Sequence, residues 1–584
     1  MGCAWPASSV LCPIGRGERM PTISIEQRVL EALMAASGHA HDVTALEQEL
    51  PLLGTDIDRC DETTLDIEIF PDRPDLLSAE TLARAMRAFI HHEAVSPSLD
   101  VQPSTTSMTV DDELAEVRPV ILCAMVHGVN LGDDESSKDA AIRRLMDHQE
   151  KLHFAVGRGR HRASIGVHDL DRLQPPFRAV CTDRSASFTP LGSDTPMTID
   201  AILSEHPKGI HYAHLLEGMD RVPLLLDANG AVMSFPPIIN GVHTTVTTST
   251  TSMLVDVTGW DIAACEASLH LVCLQLEAMG GTVTQVDVNG GLGQGTHPAG
   301  AAVHHTLPKA LIKRLLGRDF THEEASNAFQ RMGGEVLEDT KEAFVVAMPR
   351  WRLDVLHHVD LIEDLAIGHG YDDLGTATPT APAHGQPRPD AHLRRRVRTA
   401  LVGLGFTEVQ SLTLSNHDDQ FNRMRWEPSG KVTEITNPIT VDHTVLRQHL
   451  LPGLLRLLAA NRHHDLPQAV FELGTVVRDH HNAGRVAFLA AEASGGFASV
   501  RGRIQALMGA LGATESSNLV IEPLPDGEGP WLAGRAARML VNGTWVGCFG
   551  EIDPHVGDAF ELAVPMNAAE FDLSALDAAL PDPV

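Results

Sequence analysis

From Leu65 to Phe70 ("LDIEIF") apolar and polar residues alternate, the period of a half-buried strand. Before it, "TISIEQRVLEALMAA" (22–36) reads as a strand running into an amphipathic helix between about Ile25 and Ala36. After it, "PDRPDLLSAETLARAMRAFI" (71–90) gives a Pro-punctuated turn and a helix capped near Ser78, with Glu80 in its first turn. These elements make an α/β unit over residues 20–95. "SPSLDVQPSTTS" (96–107) is a polar linker.

Residues 110–285 alternate strands with two helical stretches. In "RVPLLLDANGAVMSFPPIIN" (221–240) the "DANG" between apolar runs signals a hairpin. The Thr-rich "HTTVTTSTTSMLVDVTGWD" (243–261) has the branching of strands and enough hydroxyls to line a polar pocket. Ala263 to Met279 has helical spacing, and "GGLGQGTHPAG" (290–300) breaks the pattern without the Lys-Ser/Thr pair of a phosphate loop. A third region spans 298–376, closed by the Pro-rich linker "PTAPAHGQPRP" (379–389). A fourth, 390–584, holds the helices "HLRRRVRTALVGLG" and "LLPGLLRLLAANRHH". Its strands "QAVFELGTVV" and "RAARMLVNGTWVGCFGEI" read as antiparallel, the latter with an Asn-Gly hairpin turn. The fold class expected is a multidomain α+β chain.

Within the third region, "RWRLDVLHHVDLIEDLAIGHGYDDL" (350–374) sets acids among residues of a buried helix. Asp360, Glu363 and Asp364 stand at i, i+3 and i+4 and so share a face, and Asp354 is placed to start the helix or curl back to it. Like charges at that spacing repel unless neutralised. Two accounts stay open: a solvated acidic face near a helix start, or an oxygen-only site for a hard ion such as Mg²⁺.

Composition narrows the classes. The 584 residues are too many for one core, and 43% hydrophobic with 21% charged is an ordinary globular balance. A formal charge of −32 opposes a general nucleic-acid coat. Only "GRGRHR" (Arg158, Arg160, Arg162) and "LRRRVR" (Arg394, Arg395, Arg396, Arg398) offer local basic patches, each either a solvated face or an RNA contact. The eight Cys form no C-x-x-C pair, which fits reduced thiols in a cytoplasmic protein, and no apolar run is long enough to span a membrane. Residues 1–19 lack a signal-peptide core, and Met20 is the expected start.

Six segments in order carry a resemblance: "FPDRPDLLSAETLARAMR" (70–87), "LMDHQEKLHFAVGRGRHRASIGVHDLD" (145–171), "MSFPPIINGVHTTV" (233–246), "RLDVLHHVDLIEDLAIGHGYDDL" (352–374), "NPITVDHTVLRQHLLPGLLRLLAANRHHDLPQAVFELGTVV" (437–477) and "GCFGEIDPHVGDAFELAVPMNAAEFDL" (547–573). Together they resemble the β subunits of phenylalanine–tRNA ligase in the short archaeal and eukaryotic form. The resemblance implies a B3/B4-like editing domain over 110–285 that hydrolyses tRNA mischarged with tyrosine, its pocket near Ser234, Asn240, Asp256 and Thr258. It implies a B5-like domain over 298–376 and a Mg²⁺ site shared with the α subunit, of pattern D-x5-D-x2-E-[DE], at Asp354, Asp360, Glu363 and Asp364. It further implies that 390–584 is a class II synthetase-like antiparallel domain without catalysis, since Val470–Phe471 stand where an Arg-x-Glu pattern would grip ATP. Charging of tRNA(Phe) with ATP would then reside in the α partner of an (αβ)₂ heterotetramer. Two rivals are a free-standing metal-dependent hydrolase and a non-catalytic RNA-binding scaffold.

Overall fold

The computed structural model describes residues 21–376, 378, 385–513 and 519–580. The expected start at Met20 and the stretch before it lie outside the described residues. The chain forms two compact units, one up to Thr378 and one from Pro379 on.

In the first unit, strands Thr22–Glu26, Thr64–Ile69 and Thr55–Cys60 form an antiparallel sheet with Thr64–Ile69 in the middle. Leu65, Ile67 and Ile69 are fully buried, as the alternation requires. Helix Gln27–Ala36 and helix Ala79–Phe89 follow the expected pattern, the latter with Ser78 Oγ accepting from the Thr81 N–H. Glu80 departs from the solvated first-turn acid that its position suggests. It is 3% exposed, accepts from Gln275 Nε2 at 2.9 Å and pairs with Arg144 at 3.2 Å, tying this helix to helices Ile262–Ala278 and Glu135–Ala155.

The larger sheet has ten strands among the described residues. Val120–His127 lies between Ser252–Gly259 and Thr282–Asn289, and Ala163–Asp169 pairs with the far edge of Ser252–Gly259. Val120 to Val126 is apolar throughout, the composition of a strand covered on both faces. One covering layer includes helix Ile262–Ala278, buried nearly all round rather than along one stripe. The "DANG" turn is a hairpin between Arg221–Leu226 and Val232–Phe235, with Asp227 Oδ1 accepting from the N–H of Asn229 and Ala231. Within the Gly-rich stretch, Gly295–His297 pairs back onto Thr282–Asn289 instead of merely interrupting the chain.

Residues 303–374 make a small three-stranded sheet (Val303–Pro308, Ala343–Met348, Glu335–Asp339) packed by helices Lys309–Leu316, His322–Arg331 and His358–His369. Helices His322–Arg331 and His358–His369 cross so closely that a Cβ on Gly368 would come within 2.1 Å of the Ala328 carbonyl oxygen. Only glycine fits there.

The second unit is a seven-stranded sheet in the order Thr407–Glu408, Gln468–Arg478, His481–Ala491, Met566–Asp572, Thr544–Ile552, Trp531–Val541, Leu519–Pro523. All pairs are antiparallel except the first. Val486, Phe488 and Phe571 point to a core shared with helices Ala391–Gly403, Phe497–Ala510 and Leu573–Ala579. Ala487, Leu489 and Ala568 point the other way, under helix Leu451–Ala460. The Asn542-Gly543 turn has positive φ at both residues (49° and 78°), as its hairpin demands.

Candidate functional site

A cavity of about 430 Å³ opens in the first unit between the sheet and the hairpin that follows "DANG". That volume accommodates an aromatic amino-acid side chain with its attached ester. Its polar wall is built by strand register. Asp256 sits opposite Gly166, and Ser234 opposite Asn240, so two strand pairs each present a small or polar residue to the same space. Ser234 Oγ donates to Asn240 Oδ1 at 3.1 Å. Gly166 is needed for clearance: a Cβ there would lie 2.0 Å from Asp256 Oδ2.

Of the four residues expected at the pocket, Ser234, Asn240 and Asp256 line this cavity together. Thr258 shares the face of Asp256, two residues along the strand, but is fully buried beyond the lining. Its hydroxyl accepts from Arg118 Nε at 2.8 Å, and its carbonyl accepts from Arg118 Nη2 at 2.8 Å. Burial pulls the Arg118 guanidinium down to about 10. Arg118 thereby holds Thr258 at the base of the same wall.

Two further groups bear on this cavity: His168, which the sequence reading did not single out, and Arg160, read there only as part of a basic patch. His168 is fully buried, with Nε2 2.7 Å from Asp256 Oδ2 and Nδ1 2.8 Å from Thr244 Oγ1. Arg160 is buried too, its Nη1 donating to the Pro237 and Ile238 carbonyls and its Nη2 to Glu150 Oε1 at 2.6 Å, which holds the cavity's rim. The period-2 order Ser164, Gly166, His168 in "SIGVHD" was the available signal. Thr244 and Thr245 confirm the hydroxyl-lined pocket expected of the Thr-rich run.

The acidic stretch is arranged differently from a shared face. The helix begins at His358, with His357 before it as the cap. Asp360 folds back and accepts from the Leu356 and His357 N–H groups at 2.8 and 2.6 Å. Asp364 turns inward, 3% exposed, and receives Arg352 Nη2 at 2.8 and 2.9 Å. Asp354 is not the cap; it receives Arg352 Nε at 2.9 Å and Nη2 at 2.6 Å. Arg352 is itself buried, close to a second buried pair, Arg73–Asp75, whose nearest contact is 2.8 Å. Glu363 is exposed. The donors are oxygens, as a hard cation wants, but Arg352 neutralises two of the four. Among the described residues no three His, Cys, Asp or Glu side chains converge as a metal-binding group.

One face of the second unit's sheet carries buried, internally paired charges. Glu472, Ala487 and Glu570 stand in line across three strands. Arg447 lies 2.7 Å from Glu472, and Glu570 is met by His449 and Arg485, each at 3.1 Å, and by the N–H groups of Leu450 and Leu451. Arg478, on the same face of Gln468–Arg478 as Glu472, donates to the Gln448 carbonyl at 3.4 Å rather than to a carboxylate. Part of each basic run is engaged within the chain, while Arg158 and Arg395 are exposed. Arg162 pairs with Asp261, Arg394 with Asp390 and Arg398 with Glu408, while Arg396 donates to the Leu511 carbonyl.

Comparison with known proteins agrees with this layout. Family models for the B3/4 domain (residues 135–280), the tRNA synthetase B5 domain (305–371) and the phenylalanyl tRNA synthetase beta chain CLM domain (374–573) match in succession. The phenylalanine–tRNA ligase beta subunit of Methanococcoides burtonii is 37% identical over 95% of this chain and 100% of its own length. That of Archaeoglobus fulgidus is 36% identical over 95% and 98%. The crystal structure of an N-terminal fragment of the Pyrococcus horikoshii phenylalanyl-tRNA synthetase beta subunit aligns with TM-score 0.55 and 29% identity, covering 60% of this chain and all of the fragment. The chain belongs to the phenylalanine–tRNA ligase β-subunit family, a component of an aminoacyl-tRNA ligase.

Proposed function

We propose that this chain, in a cytoplasmic (αβ)₂ assembly with an α subunit that uses ATP to charge tRNA(Phe), proofreads the product by hydrolysing Tyr-tRNA(Phe) in the 430 Å³ cavity. The observation that carries this reading is Asp256, a carboxylate 2% exposed on the wall of a cavity of that size. A phenolic hydroxyl can donate to it; a phenylalanine ring leaves it desolvated and unpaired. Sites built around such a hydroxyl reject the analogue lacking it by roughly 10⁴-fold. The Glu472 and Glu570 carboxylates on the second unit's sheet face support placing adenylate formation in the partner, because they oppose phosphate charge developing there. Deacylation of Tyr-tRNA(Phe) by the holoenzyme tests the reading. Asp256→Ala should cut hydrolysis at least tenfold and leave phenylalanine charging intact; equal hydrolysis by the variant rejects it.

The acidic stretch is assigned to a Mg²⁺ site at the α subunit. Asp360, through its second oxygen, and exposed Glu363 are the ligands this chain offers outright. Asp354 and Asp364 fit such a site only as Arg352 releases them, so the four do not form a metal centre by themselves. A bound cation there would supply positive charge between subunits.

A further inference from the structure

Thr244, His168 and Asp256 form a buried chain of hydrogen bonds whose protons can be counted. Thr244 has one hydroxyl hydrogen, and its Oγ1 donates to the Gly241 carbonyl at 3.0 Å. A carbonyl can only accept, so this hydrogen is committed, and the 2.8 Å contact between Thr244 Oγ1 and His168 Nδ1 needs the proton on Nδ1. The 2.7 Å contact between His168 Nε2 and Asp256 Oδ2 also needs a proton, because two lone pairs at that distance repel. With Nδ1 already protonated, a neutral imidazole has none to give at Nε2. Both contacts are satisfied when one further proton lies between Nε2 and Oδ2, and placing it on the imidazole, the more basic of the two groups, gives an imidazolium facing an ionised Asp256.

We propose that His168 is a positioning residue for the hydrolytic cavity: as a buried imidazolium it holds Asp256 ionised and fixes its rotamer, leaving Oδ1 to accept the hydroxyl hydrogen of a phenolic aminoacyl group. The inference rests on the editing reading above and names the element of that site that reads the hydroxyl. Three further groups face the pair. Arg118 lies beneath the same strand as Asp256, Cys123 is on the neighbouring strand opposite it, and His243 belongs to the turn that carries Thr244. Burial raises the Cys123 thiol and lowers the His243 imidazole, so neither adds charge, and Arg118 is committed to Thr258. Asp256 therefore has one charged hydrogen-bond partner, His168.

The test uses the α–β holoenzyme, with Tyr-tRNA(Phe) and correctly charged Phe-tRNA(Phe) as probes. His168→Ala should slow Tyr-tRNA(Phe) hydrolysis about 10- to 100-fold, the loss of one charge-assisted bond, and lower the Tyr-over-Phe preference with it. His168→Gln, which keeps a donor toward Asp256 without the charge, should fall between the two. Phenylalanine charging serves as the control for folding and should be unaffected. ¹⁵N NMR of histidine-labelled holoenzyme, with the His168 signals assigned by their loss in His168→Gln, should show both ring nitrogens protonated. An unprotonated ring nitrogen, or full Tyr-tRNA(Phe) hydrolysis by His168→Ala, overturns the proposal. Should the wild-type holoenzyme not hydrolyse Tyr-tRNA(Phe), the editing reading and the substrate assignment fall together, while the NMR result still decides the protonation of the pair.

Discussion

At the scale of single residues, the cavity depends on what is missing at position 166. Glycine there lets the Asp256 carboxylate occupy the space a side chain would take, within 2.0 Å of an added Cβ. Gly166→Ala should therefore displace Asp256 and reduce Tyr-tRNA(Phe) hydrolysis tenfold or more, with a stability cost of about 1–3 kcal/mol from overpacking. Deacylation and charging rates measured on one preparation check this; loss of both together would mark a folding defect instead. The reading of this site from sequence stopped where partners are remote. Ser234, Asn240 and Asp256 were named through the family resemblance, not through any local pattern. His168, by contrast, meets Thr244 76 positions away and Asp256 88 positions away. Arg118 meets Thr258 across 140. Period-2 spacing puts His168 on the face of Gly166, but no local pattern names its partners.

At the scale of the element, residues 350–374 show how one segment uses similar side chains in three ways. Asp360 satisfies backbone donors at a helix start, Asp354 and Asp364 neutralise buried Arg352, and Glu363 faces solvent. The 3.6-residue period correctly placed the helix and its apolar face, Leu361, Ile362 and Leu365. It could not show that Asp364 turns inward, because the cation that draws it there lies outside the helix. Arg352→Met should destabilise the first unit by about 3–5 kcal/mol, since two carboxylates lose their counter-charge, one of them buried. Glu363→Ala should change stability by less than about 0.5 kcal/mol, yet lower the Mg²⁺ bound per holoenzyme. Thermal denaturation and elemental analysis of the two variants separate the clamp from the proposed metal role. Equal metal content in wild type and Glu363→Ala would remove Glu363 from the site.

At the scale of the whole molecule, a formal charge of −32 coexists with buried ion pairs in both units. Their effect on acid stability has a definite sign. Burial alone would raise the Glu570 carboxyl, but His449, Arg485 and the Leu451 N–H bring it down to about 2. Its folded pKa is thus below the unfolded value near 4.3, so its contribution, on the order of 3 kcal/mol, is complete above about pH 4.5 and lost as pH falls toward 2. His148, His153 and His449 are lowered chiefly by burial, and they weaken the fold as pH drops below about 6.5. Glu570→Gln should lower the thermal midpoint at pH 7, and its gap to wild type should narrow between pH 5 and 3. A gap constant over that range would contradict the assignment. The antiparallel character of the second unit was readable from periodicity and turn residues. The pairing of its buried charges was not, because Glu472 and Glu570 read locally as ordinary strand positions.

The line of Glu472, Ala487 and Glu570, each acid with its own base, also limits how this surface can change over generations. A lone replacement of Arg447 or Arg485 strands a negative charge in the interior, whereas exchanging both members for apolar residues of like volume is tolerated. Substitutions at 447 with 472, and at 485 with 570, should accordingly arise in concert among descendants of this sequence. Building a nucleotide grip there would require dismantling a pair before any benefit accrued.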